Sequence, residues 1–401
     1  MKKRLLNFIV FTILCIHVNS QTAYVTNYDQ TVSVINVSTN TVTDTITIGA
    51  LPLGVSVSPD GYKVYITNGM DNTVSVINTA NNSVIATIPV GFYPIGICVN
   101  PDGTKVYVTN ESSNTISVIN TVGDTVSDSI IVGNLPVGLS FSPDGSKLYV
   151  ANNGINKISV INTATNTIID SITVGSEPVG IAVCPDGSKV YVTNQNSNTV
   201  SVISTASNTV LTTIPVGSTP LAIAISPNGN TVYVANYNSH SISVINSSTN
   251  NVITTITVGN NPQGVSITPD GSKVYVVNTY SNSVSVIDAA TNTVSDTIPV
   301  GTYPTAFGNF ISIYPQHAGI ASSSIVSTYI AAYPNPVTDN LTLEIPMKSE
   351  IEILNLEGQI IMTKYCPNEV ISINLTDFLS GVYIIRIKTD KEILTKKFIK
   401  Q

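Results

Sequence analysis

Few side chains in this chain of 401 residues have the types and spacing that catalysis requires. The chain contains 3 His and 4 Cys, and there is no Arg between Arg4 and Arg386. We find no His ligand set for a metal, no Cys and His pair for nucleophilic attack and no Gly-rich phosphate loop. Paired carboxylates such as Asp71 with Glu111 could still perform general acid and base catalysis. We therefore predict that the protein is not an enzyme and has no catalytic residue, metal or cofactor; the alternative is a hydrolase or lyase that uses such carboxylates.

Aromatic, acidic and amide side chains recur in two kinds of loop and form a second set of candidates. Tyrosine rings stack on sugars, and carboxylates and amides hydrogen-bond to them, so such loops suit a protein or glycan ligand. The first kind of loop follows a recurring Asn and contains Tyr28, Asp29, Asp71, Glu111, Asn153, Asn196, Tyr237, His240 and Tyr280. The second kind precedes a short apolar segment and contains Phe92, Tyr93, Glu177, Gln263 and Tyr303. The alternative is that these are ordinary solvated loop residues.

The recurring Asn ends a phrase, Tyr-Val-Thr-Asn in its first copy at 24–27, that marks an internal repeat. This Asn recurs at intervals of 41 or 42 residues, at Asn27, Asn68, Asn110, Asn152, Asn194, Asn236 and Asn278. A fixed period of this length is typical of solenoids and β-propellers. We interpret the Asn as a turn cap that tolerates left-handed backbone, and the Tyr as packing between repeats.

Each period divides into four short strand-like segments, which is the content of one propeller blade. In the second period these segments are 54–57, 63–67, 74–77 and 84–90, and a Pro-Asp-Gly turn at 59–61 joins the first two. Val, Ile and Thr are frequent in them, and β-branched residues suit pleated strands. The sequence thus predicts an all-β chain in which residues 21–313 form a seven-bladed β-propeller with four-stranded blades.

The two ends of the repeat array are incomplete in a complementary way. The first copy begins directly at its Tyr phrase and lacks the segment that precedes this phrase in the other copies. The last copy continues past Gly301 into a segment at about 305–313 that aligns with the missing one. We predict that this segment lies beside 24–27 as a velcro closure, which joins the ring without a disulfide and removes an open sheet edge.

The segment 23–313 resembles the YVTN family of seven-bladed propellers, which occur in bacterial and archaeal surface-layer and secreted proteins. The resemblance is carried by the seven in-register phrases and by Pro-Asp-Gly or Pro-Asn-Gly turns in six of the units. It implies that the two kinds of loop converge on the top face, around a central channel. Some seven-bladed relatives bind copper or act on lactones through sets of His, Arg and Glu, which this sequence lacks.

The first twenty residues have the pattern of a secretory signal peptide. Three basic residues at 2–4 precede an apolar run at 5–18, and small residues lie near a cleavage point between Ser20 and Gln21. A transmembrane helix needs about 20 apolar residues, and this run is shorter. We therefore predict that residues 1–20 are removed on export and that the mature chain has no transmembrane span.

After the repeats the 42-residue period stops and the charge density rises. We predict a linker at 314–330 and, from the alternation of apolar residues, a small Ig-like β-sandwich at 331–401. This region resembles the type A C-terminal sorting domain of the type IX secretion system of Bacteroidetes. The residues that carry the resemblance are Pro334, Asn335, Pro336, Gly358, Gly381, Tyr383 and Lys397. It implies passage through the periplasm, the type IX secretion machinery as a partner, and release or attachment to surface lipopolysaccharide; the alternative is an adhesive Ig-like module.

The net charge is −7, with 24 acidic and 17 basic residues. An acidic surface argues against nucleic acid and anionic membranes as partners, because both require a positive footprint. We expect a secreted or outer-membrane surface protein whose top-face loops bind a protein or glycan ligand. A structural surface-layer component is the alternative from a different class.

A triplet of Asp, Ser or Thr, and an aliphatic residue begins at Asp44, Asp124, Asp128, Asp170 and Asp296. We expect all five on outermost strands, where a carboxylate discourages edge-to-edge pairing. The alternative is O-glycosylation, because the triplets resemble the acceptor sequence of Bacteroidetes.

Overall fold

A computed structural model describes residues 21–312, 331–333, 337–344, 349–355, 359–367, 370–388 and 393–400. The predicted signal peptide with Ser20, the linker 314–330 and the sorting-motif residues Pro334, Asn335, Pro336 and Gly358 lie outside the described residues. The chain divides into two compact units, Met1–Gly319 and Ile320–Gln401. Within the described ranges, no helix has the length and hydropathy needed to cross a bilayer.

The first unit contains seven antiparallel sheets, the blades, whose strands follow chain order from the central channel outward. Blade 1 contains β1 (Thr22–Asn27), β2 (Thr31–Asn36) and β3 (Thr41–Thr47), and blade 2 contains β4 (Pro52–Val57), β5 (Lys63–Asn68), β6 (Thr73–Asn78) and β7 (Ser83–Pro89). Blade 3 contains β8 (Pro94–Val99), β9 (Lys105–Asn110), β10 (Thr115–Asn120) and β11 (Thr125–Ile131), and blade 4 contains β12 (Pro136–Phe141), β13 (Lys147–Asn152), β14 (Lys157–Asn162) and β15 (Thr167–Thr173). Blade 5 contains β16 (Pro178–Val183), β17 (Lys189–Asn194), β18 (Thr199–Ser204) and β19 (Thr209–Pro215), and blade 6 contains β20 (Pro220–Ile225), β21 (Thr231–Asn236), β22 (Ser241–Asn246) and β23 (Asn251–Thr257). Blade 7 contains β24 (Pro262–Ile267), β25 (Lys273–Asn278), β26 (Ser283–Asp288) and β27 (Thr293–Pro299), and 3₁₀ helices at Glu111–Ser113, Asn153–Ile155 and Thr279–Ser281 follow β9, β13 and β25.

The second strand of each blade is buried on both faces, because neighbouring blades pack against it from either side. In β5, Val64, Tyr65 and Ile66 are fully buried. A strand covered on both faces has a continuous apolar run instead of alternation, which explains the recurring phrase in the sequence. The outermost strands such as β7 expose most of their residues to solvent.

Blade 1 obtains its innermost strand from the far end of the propeller. Residues 304–312 run antiparallel to β1, and Ile311 bridges to Ala23. The N–H of Tyr24 donates to the carbonyl of Phe310 at 2.8 Å. Phe310 is fully buried and Ile311 almost so. The predicted velcro closure and the count of seven four-stranded blades are therefore confirmed.

The closing segment also contacts the blade on its other side. The N–H of Phe307 donates to the carbonyl of Leu53 at 3.0 Å, and the N–H of Val55 donates to the carbonyl of Phe307 at 2.9 Å. One short segment thus hydrogen-bonds to the first blade and to β4 of the second. Closure depends on backbone hydrogen bonds and buried apolar side chains, and needs no covalent link.

A hydrogen-bonded clamp joins neighbouring blades on the face opposite the loops that follow the repeated Asn. Tyr107 of β9 donates to Oδ1 of Asn166 in the next blade at 2.9 Å, and Nδ2 of Asn166 donates to Asp128 of β11 at 2.6 Å. Asn166 has a φ of 53°, in the left-handed region that Asn adopts more readily than most residues. Its side chain therefore links two strands of the preceding blade.

The same clamp recurs around the ring. Further Tyr to Asn contacts join Tyr191 to Asn250 at 3.1 Å and Tyr275 to Asn40 at 2.6 Å. Further Asn to Asp contacts join Asn82 to Asp44, Asn208 to Asp170 and Asn40 to Asp296 at 2.8, 2.8 and 3.0 Å. The fixed Tyr of these blades thus supplies a hydrogen bond as well as packing, whereas the hydroxyl of Tyr149 has no hydrogen-bond partner among the described residues. The outermost-strand carboxylates bind the next blade in addition to lying on an edge.

One blade interface carries a different set of charges. Asp124 occupies the turn position that Asn holds elsewhere, with a φ of 48°, and so lies before β11 and not on an outermost strand as expected. The strand of the preceding blade that would supply the acid has Ala86 instead. Lys63 forms an ion pair with Asp124 at 2.8 Å, and Tyr65 donates to it at 3.3 Å. Because Ala86 stands where the acid would be when Asp124 stands where the Asn would be, two carboxylates do not face each other at this interface.

We expect Asn166→Asp to destabilise the propeller, because it places a second carboxylate beside Asp128. In the natural protein, the hydrogen bond from Asn166 holds the pKa of Asp128 below its ordinary value, so this stabilisation is present at neutral pH and is lost as the pH falls. The variant should unfold about 2–4 °C lower at neutral pH, measured by calorimetry, and the deficit should shrink at acidic pH.

Asn250→Asp is the matched control for this substitution. Asn250 holds the same turn position, but the strand that it faces has Thr212 where the acid would be. The new carboxylate would repeat the natural arrangement at Asp124, so the unfolding temperature should change little. Equal losses in the two variants would contradict the proposed charge matching.

The second unit is a sandwich of two antiparallel sheets. Its strands are β28 (Ala331–Tyr333), β29 (Asn340–Glu344), β30 (Ser349–Leu354), β31 (Ile360–Cys366), β32 (Val370–Asn374), β33 (Gly381–Lys388) and β34 (Ile393–Lys400). The sheets have the orders β28-β29-β32 and β31-β30-β33-β34. Leu341 and Ile373 of one sheet share a buried cluster with Ile353 and Ile385 of the other, so the sheets pack face to face.

Three of the predicted sorting-motif residues lie in this sandwich. Gly381 begins β33, and Lys397 in β34 pairs with Ile384. Tyr383 is buried; its hydroxyl donates to the carbonyl of Leu379 at 2.9 Å, and its ring stacks on Phe398 with centroids 5.5 Å apart. Tyr383 therefore contributes to the core of the second unit.

Candidate functional site

Each repeated Asn fixes the start of the loop that follows it. Asn110 has an extended backbone with a φ of −105°, so it does not use the left-handed conformation that the sequence suggested. Its Nδ2 donates to Oγ1 of Thr115 at 3.1 Å and to Oγ of Ser117 at 2.9 Å. The incoming chain packs directly on this amide, because a Cβ at Gly91 would lie 2.6 Å from Cγ of Asn110. The Asn thus holds together the strands on which the loop rests.

The residue that precedes the Pro of each first strand has left-handed backbone in all seven blades. These residues are Leu51, Tyr93, Leu135, Glu177, Thr219, Asn261 and Tyr303, with φ values between 47° and 57°. The conformation is rare for residues other than Gly, above all for a β-branched Thr, and costs about 1–3 kcal/mol at each site. A side chain of the preceding blade holds it: Oδ1 of Asn72 accepts from the N–H of Tyr93 at 2.9 Å.

The carbonyl of this left-handed residue binds the loop after the repeated Asn. Tyr93 O accepts from the N–H of Glu111 at 3.0 Å, and Glu177 O accepts from the N–H of Gln195 at 2.9 Å. We call the residues directly before the Pro and directly after the Asn of each blade the collar. Because both halves of the collar are hydrogen-bonded, their backbone has a fixed position around the channel.

A cavity of about 660 Å³, which we call the funnel, lies within the collar. Collar residues and first-strand residues line it: Leu53, Tyr93, Ile95, Glu111, Ser112, Val137, Asn153, Glu177, Val179, Gln195, Thr219, Leu221, Tyr237, Gln263, Thr305 and Phe307. This volume lies in the range of small-molecule and side-chain binding pockets. The wall combines aliphatic residues from the first strands with polar and aromatic residues from the collar.

Two carboxylates, Glu111 and Glu177, line the funnel, and both are half-buried. Burial raises the pKa of Glu111 above its ordinary value. Burial also raises the pKa of Tyr93, and the charge of Glu111 adds to the shift. Burial raises the pKa of Tyr237, with a further contribution from Tyr280. Both funnel tyrosines are therefore neutral phenols at neutral pH.

An aromatic group continues from the funnel onto the exposed surface. Tyr237 is hydrogen-bonded to Tyr280, and Tyr303 contacts the rings of Tyr280 and Tyr28 edge to face, with centroids 5.4 and 6.3 Å apart. Tyr28, Tyr280 and Tyr303 are 52%, 58% and 46% exposed. Rings held in place but open to solvent are suited to stacking on a ligand.

The structure brings some of the predicted ligand-binding residues to the funnel. Tyr93, Glu111, Glu177 and Tyr237 line it, as do Asn153 and Gln263 from the wider candidate set. Tyr28, Tyr280 and Tyr303 belong to the adjoining aromatic group. Phe92 does not line the cavity and is 67% exposed.

Three predicted residues hold loops instead. Asp71 accepts from the N–H of Ala50 at 2.7 Å, and Asp29 accepts from Oγ1 of Thr302 at 2.8 Å. Nδ1 of His240 accepts from the N–H of Asn261 at 3.0 Å, which is the capping role that Asn plays in other blades. Asp71 and Glu111 do not share the funnel; the carboxylate that joins Glu111 there is Glu177.

Sequence reasoning missed several funnel residues. It selected Asn196, whereas the structure places its neighbour Gln195 in the wall, together with Thr219 and Ser112. The signal was present, because Glu111, Asn153, Gln195 and Tyr237 all follow the repeated Asn directly. The aliphatic wall could be found from the residues that follow the Pro of each first strand.

Other reactive groups in the described residues are few. Cys98, Cys184 and Cys366 are thiols outside any disulfide, and burial raises the pKa of Cys98 to about 12 and that of Cys184 to about 11. Thiols with such pKa values are poor nucleophiles at neutral pH. In the part of the chain that the structure describes, no group of three or more His, Cys, Asp or Glu is placed to hold a metal ion.

Family models match segments of both units. Residues 331–401 match the secretion system C-terminal sorting domain, residues 61–161 match the YNCE-like β-propeller, and residues 125–218 and 209–298 match the seven-bladed β-propeller lactonase. None of the curated proteins matches the chain.

Several solved structures share the propeller fold. One is the hydrazine synthase of Kuenenia stuttgartiensis, with 22% identity, coverage of 71% of this chain and 99% of that chain, and a TM-score of 0.62. Another is a putative 6-phosphogluconolactonase of Bacteroides fragilis, with 21% identity, coverage of 72% and 97%, and a TM-score of 0.62. A third, a functionally unknown protein of Desulfotomaculum acetoxidans, has 17% identity, coverage of 72% and 100%, and a TM-score of 0.64. At these identities the likeness concerns the fold.

The ring of seven blades and its funnel define a seven-bladed β-propeller protein, as the YVTN phrases indicated. In this chain the propeller is followed by a type IX secretion C-terminal sorting domain. The protein is therefore exported and is either secreted or located at the outer-membrane surface.

We expect Glu111→Gln to lower the pKa of Tyr93, because it removes a negative charge that disfavours the phenolate. The titration can be followed by NMR of ¹³C-labelled tyrosine rings, with Tyr93→Phe to assign the signal. Glu177→Gln is the control: it lines the same funnel but does not contribute to the shift of Tyr93. Equal pKa values for Tyr93 in the natural protein and in Glu111→Gln would contradict this arrangement of the wall.

Proposed function

We propose that this exported protein is an interaction module whose propeller binds a protein or glycan ligand in the funnel. The observation that carries the proposal is the cavity of about 660 Å³ that Tyr93, Tyr237 and two carboxylates line. Aromatic anchors surrounded by amides and acids are typical of recognition sites. The strained but doubly hydrogen-bonded collar supports the same function, because backbone strain of this kind is concentrated at ligand sites.

The paired substitution Tyr93→Ala and Tyr237→Ala tests this function. We expect binding to a glycan array, or to an array of peptides from extracellular proteins, to weaken about thirtyfold, because aromatic anchors of this kind contribute about 2 kcal/mol or more. Tyr62→Ala is the matched control, since Tyr62 is 57% exposed in a turn at the opposite face. Failure of the natural protein to bind either array would remove the proposal.

A hydrolase is the second candidate, and two observations favour it. Glu111 and Glu177 line the same cavity, and the raised pKa of Glu111 suits a general acid. The match to the lactonase propeller points in the same direction. In this case the two carboxylates would divide the acid and base roles.

A screen of lactones and esters with the mature protein tests the hydrolase. If turnover occurs, Glu111→Gln with Glu177→Gln should reduce kcat by about a hundredfold or more, because general acid and base groups contribute factors of this size. Asp71→Asn should leave kcat unchanged, since Asp71 holds a loop outside the funnel. Turnover that survives loss of both glutamates would exclude this mechanism.

A further inference from the structure

Among the residues that the structure describes, the lining of the funnel carries negative charge without a basic side chain. Glu111 and Glu177 line the cavity, and none of its lining residues is Lys, Arg or His. In the described ranges, the ion pairs involve Lys63, Arg386 and Lys388, and none of them includes a funnel carboxylate. Half-buried carboxylates without a counter-charge favour a ligand that brings a positive charge.

The aliphatic part of the wall adds a second requirement. The aliphatic residues Leu53, Ile95, Val137, Val179 and Leu221 line the same cavity as the two glutamates, together with the ring of Phe307. Contact with such a surface stabilises an apolar stem through burial of its methylene groups. A sugar ring with hydroxyl groups around its edge satisfies this requirement less well than a hydrocarbon chain does.

The tyrosines add a third requirement. Tyr93 and Tyr237 line the cavity as neutral phenols, and aromatic faces attract cations through their quadrupole. The whole chain is acidic, with a net charge of −7 that becomes more negative if the predicted basic signal segment is removed. A negative field attracts basic partners over distances beyond direct contact.

From these three features we infer that the funnel binds a primary ammonium group on an aliphatic stem, as presented by a lysine side chain of a partner protein. The carboxylates of Glu111 and Glu177 attract the ammonium, and the methylene stem contacts the aliphatic wall. This inference rests on the proposed binding function and selects a lysine-bearing protein over a neutral glycan as the ligand.

The first test uses the mature protein and a pair of peptides that differ in one group. The peptides are Ac-Gly-Lys-Gly-NH₂ and the same peptide with Nε-acetyl-lysine, which keeps the stem and removes the charge. We expect calorimetric titration to show binding of the lysine peptide that is at least about tenfold tighter. Equal affinities for the two peptides would overturn the inference without any substitution in the protein.

The second test locates the effect. Glu111→Gln with Glu177→Gln should remove the preference for the charged peptide while circular dichroism shows an unchanged fold. Asp102→Asn is the matched control, since Asp102 lies in a turn whose counterpart in blade 6 is Asn228. In the natural protein, the affinity for the lysine peptide should decrease as the pH is lowered, because Glu111 becomes protonated and loses its charge. This decrease should begin above the pH range in which an ordinary glutamate titrates, because burial raises the pKa of Glu111.

The outcomes of these tests distinguish failure of the lysine inference from failure of the proposed binding function. If neither peptide binds but the glycan array gives Tyr93- and Tyr237-dependent signals, the inference fails and the binding function survives. If neither peptides nor arrays bind, both fail. A charge preference that persists in the double glutamate variant would place the lysine site elsewhere on the surface and overturn the assignment to the funnel.

Discussion

The pairing of residues 304–312 with β1 joins two parts of the chain that are 290 residues apart at the hydrogen bond between Ser312 and Thr22. Closing so long a loop costs entropy, but the cost grows only slowly with loop length. The hydrogen bonds and buried side chains of this segment offset it. Without that pairing, β1 would have an open edge and the first and last blades would each lose a neighbour. The funnel exists only because the ring is closed.

Closure also explains how a repetitive scaffold supports an irregular site. The repeated Asn and the Gly that packs on it recur around the ring, and together with the hydrogen bonds between the two halves of the collar they fix the backbone of the collar. The collar side chains are then free to differ, and those that line the funnel are Tyr93, Glu111, Asn153, Glu177, Gln195, Thr219 and Tyr237. A wall that combines glutamates with tyrosines is the result.

The period of 41 or 42 residues was enough to predict the blades, the closing segment and the two loop classes, because strand burial and turn chemistry repeat with it. Side-chain directions within the loops were harder to predict. Asp71 and His240 look reactive as residue types, yet each accepts a backbone hydrogen bond that shapes a loop. The residue types of Tyr93 and Glu177 do not indicate their left-handed backbone. This conformation is stabilised by a hydrogen bond from the backbone N–H to an Asn side chain of the preceding blade, which is a tertiary contact.

The ion pair between Lys63 and Asp124 has a consequence for the ancestry of the repeats. Coding segments of near-identical repeats can recombine unequally, and such recombination would add, delete or reorder blades. Blade 3 carries Asp124 and fits a predecessor with Lys63 and Ala86, whereas most other blades carry Asn in the same turn. If blade 3 followed a blade whose outermost strand carries an Asp, Asp124 would face a second carboxylate. Each joint between blades is thus partly individual, and this individuality disfavours rings with the wrong number or order of blades.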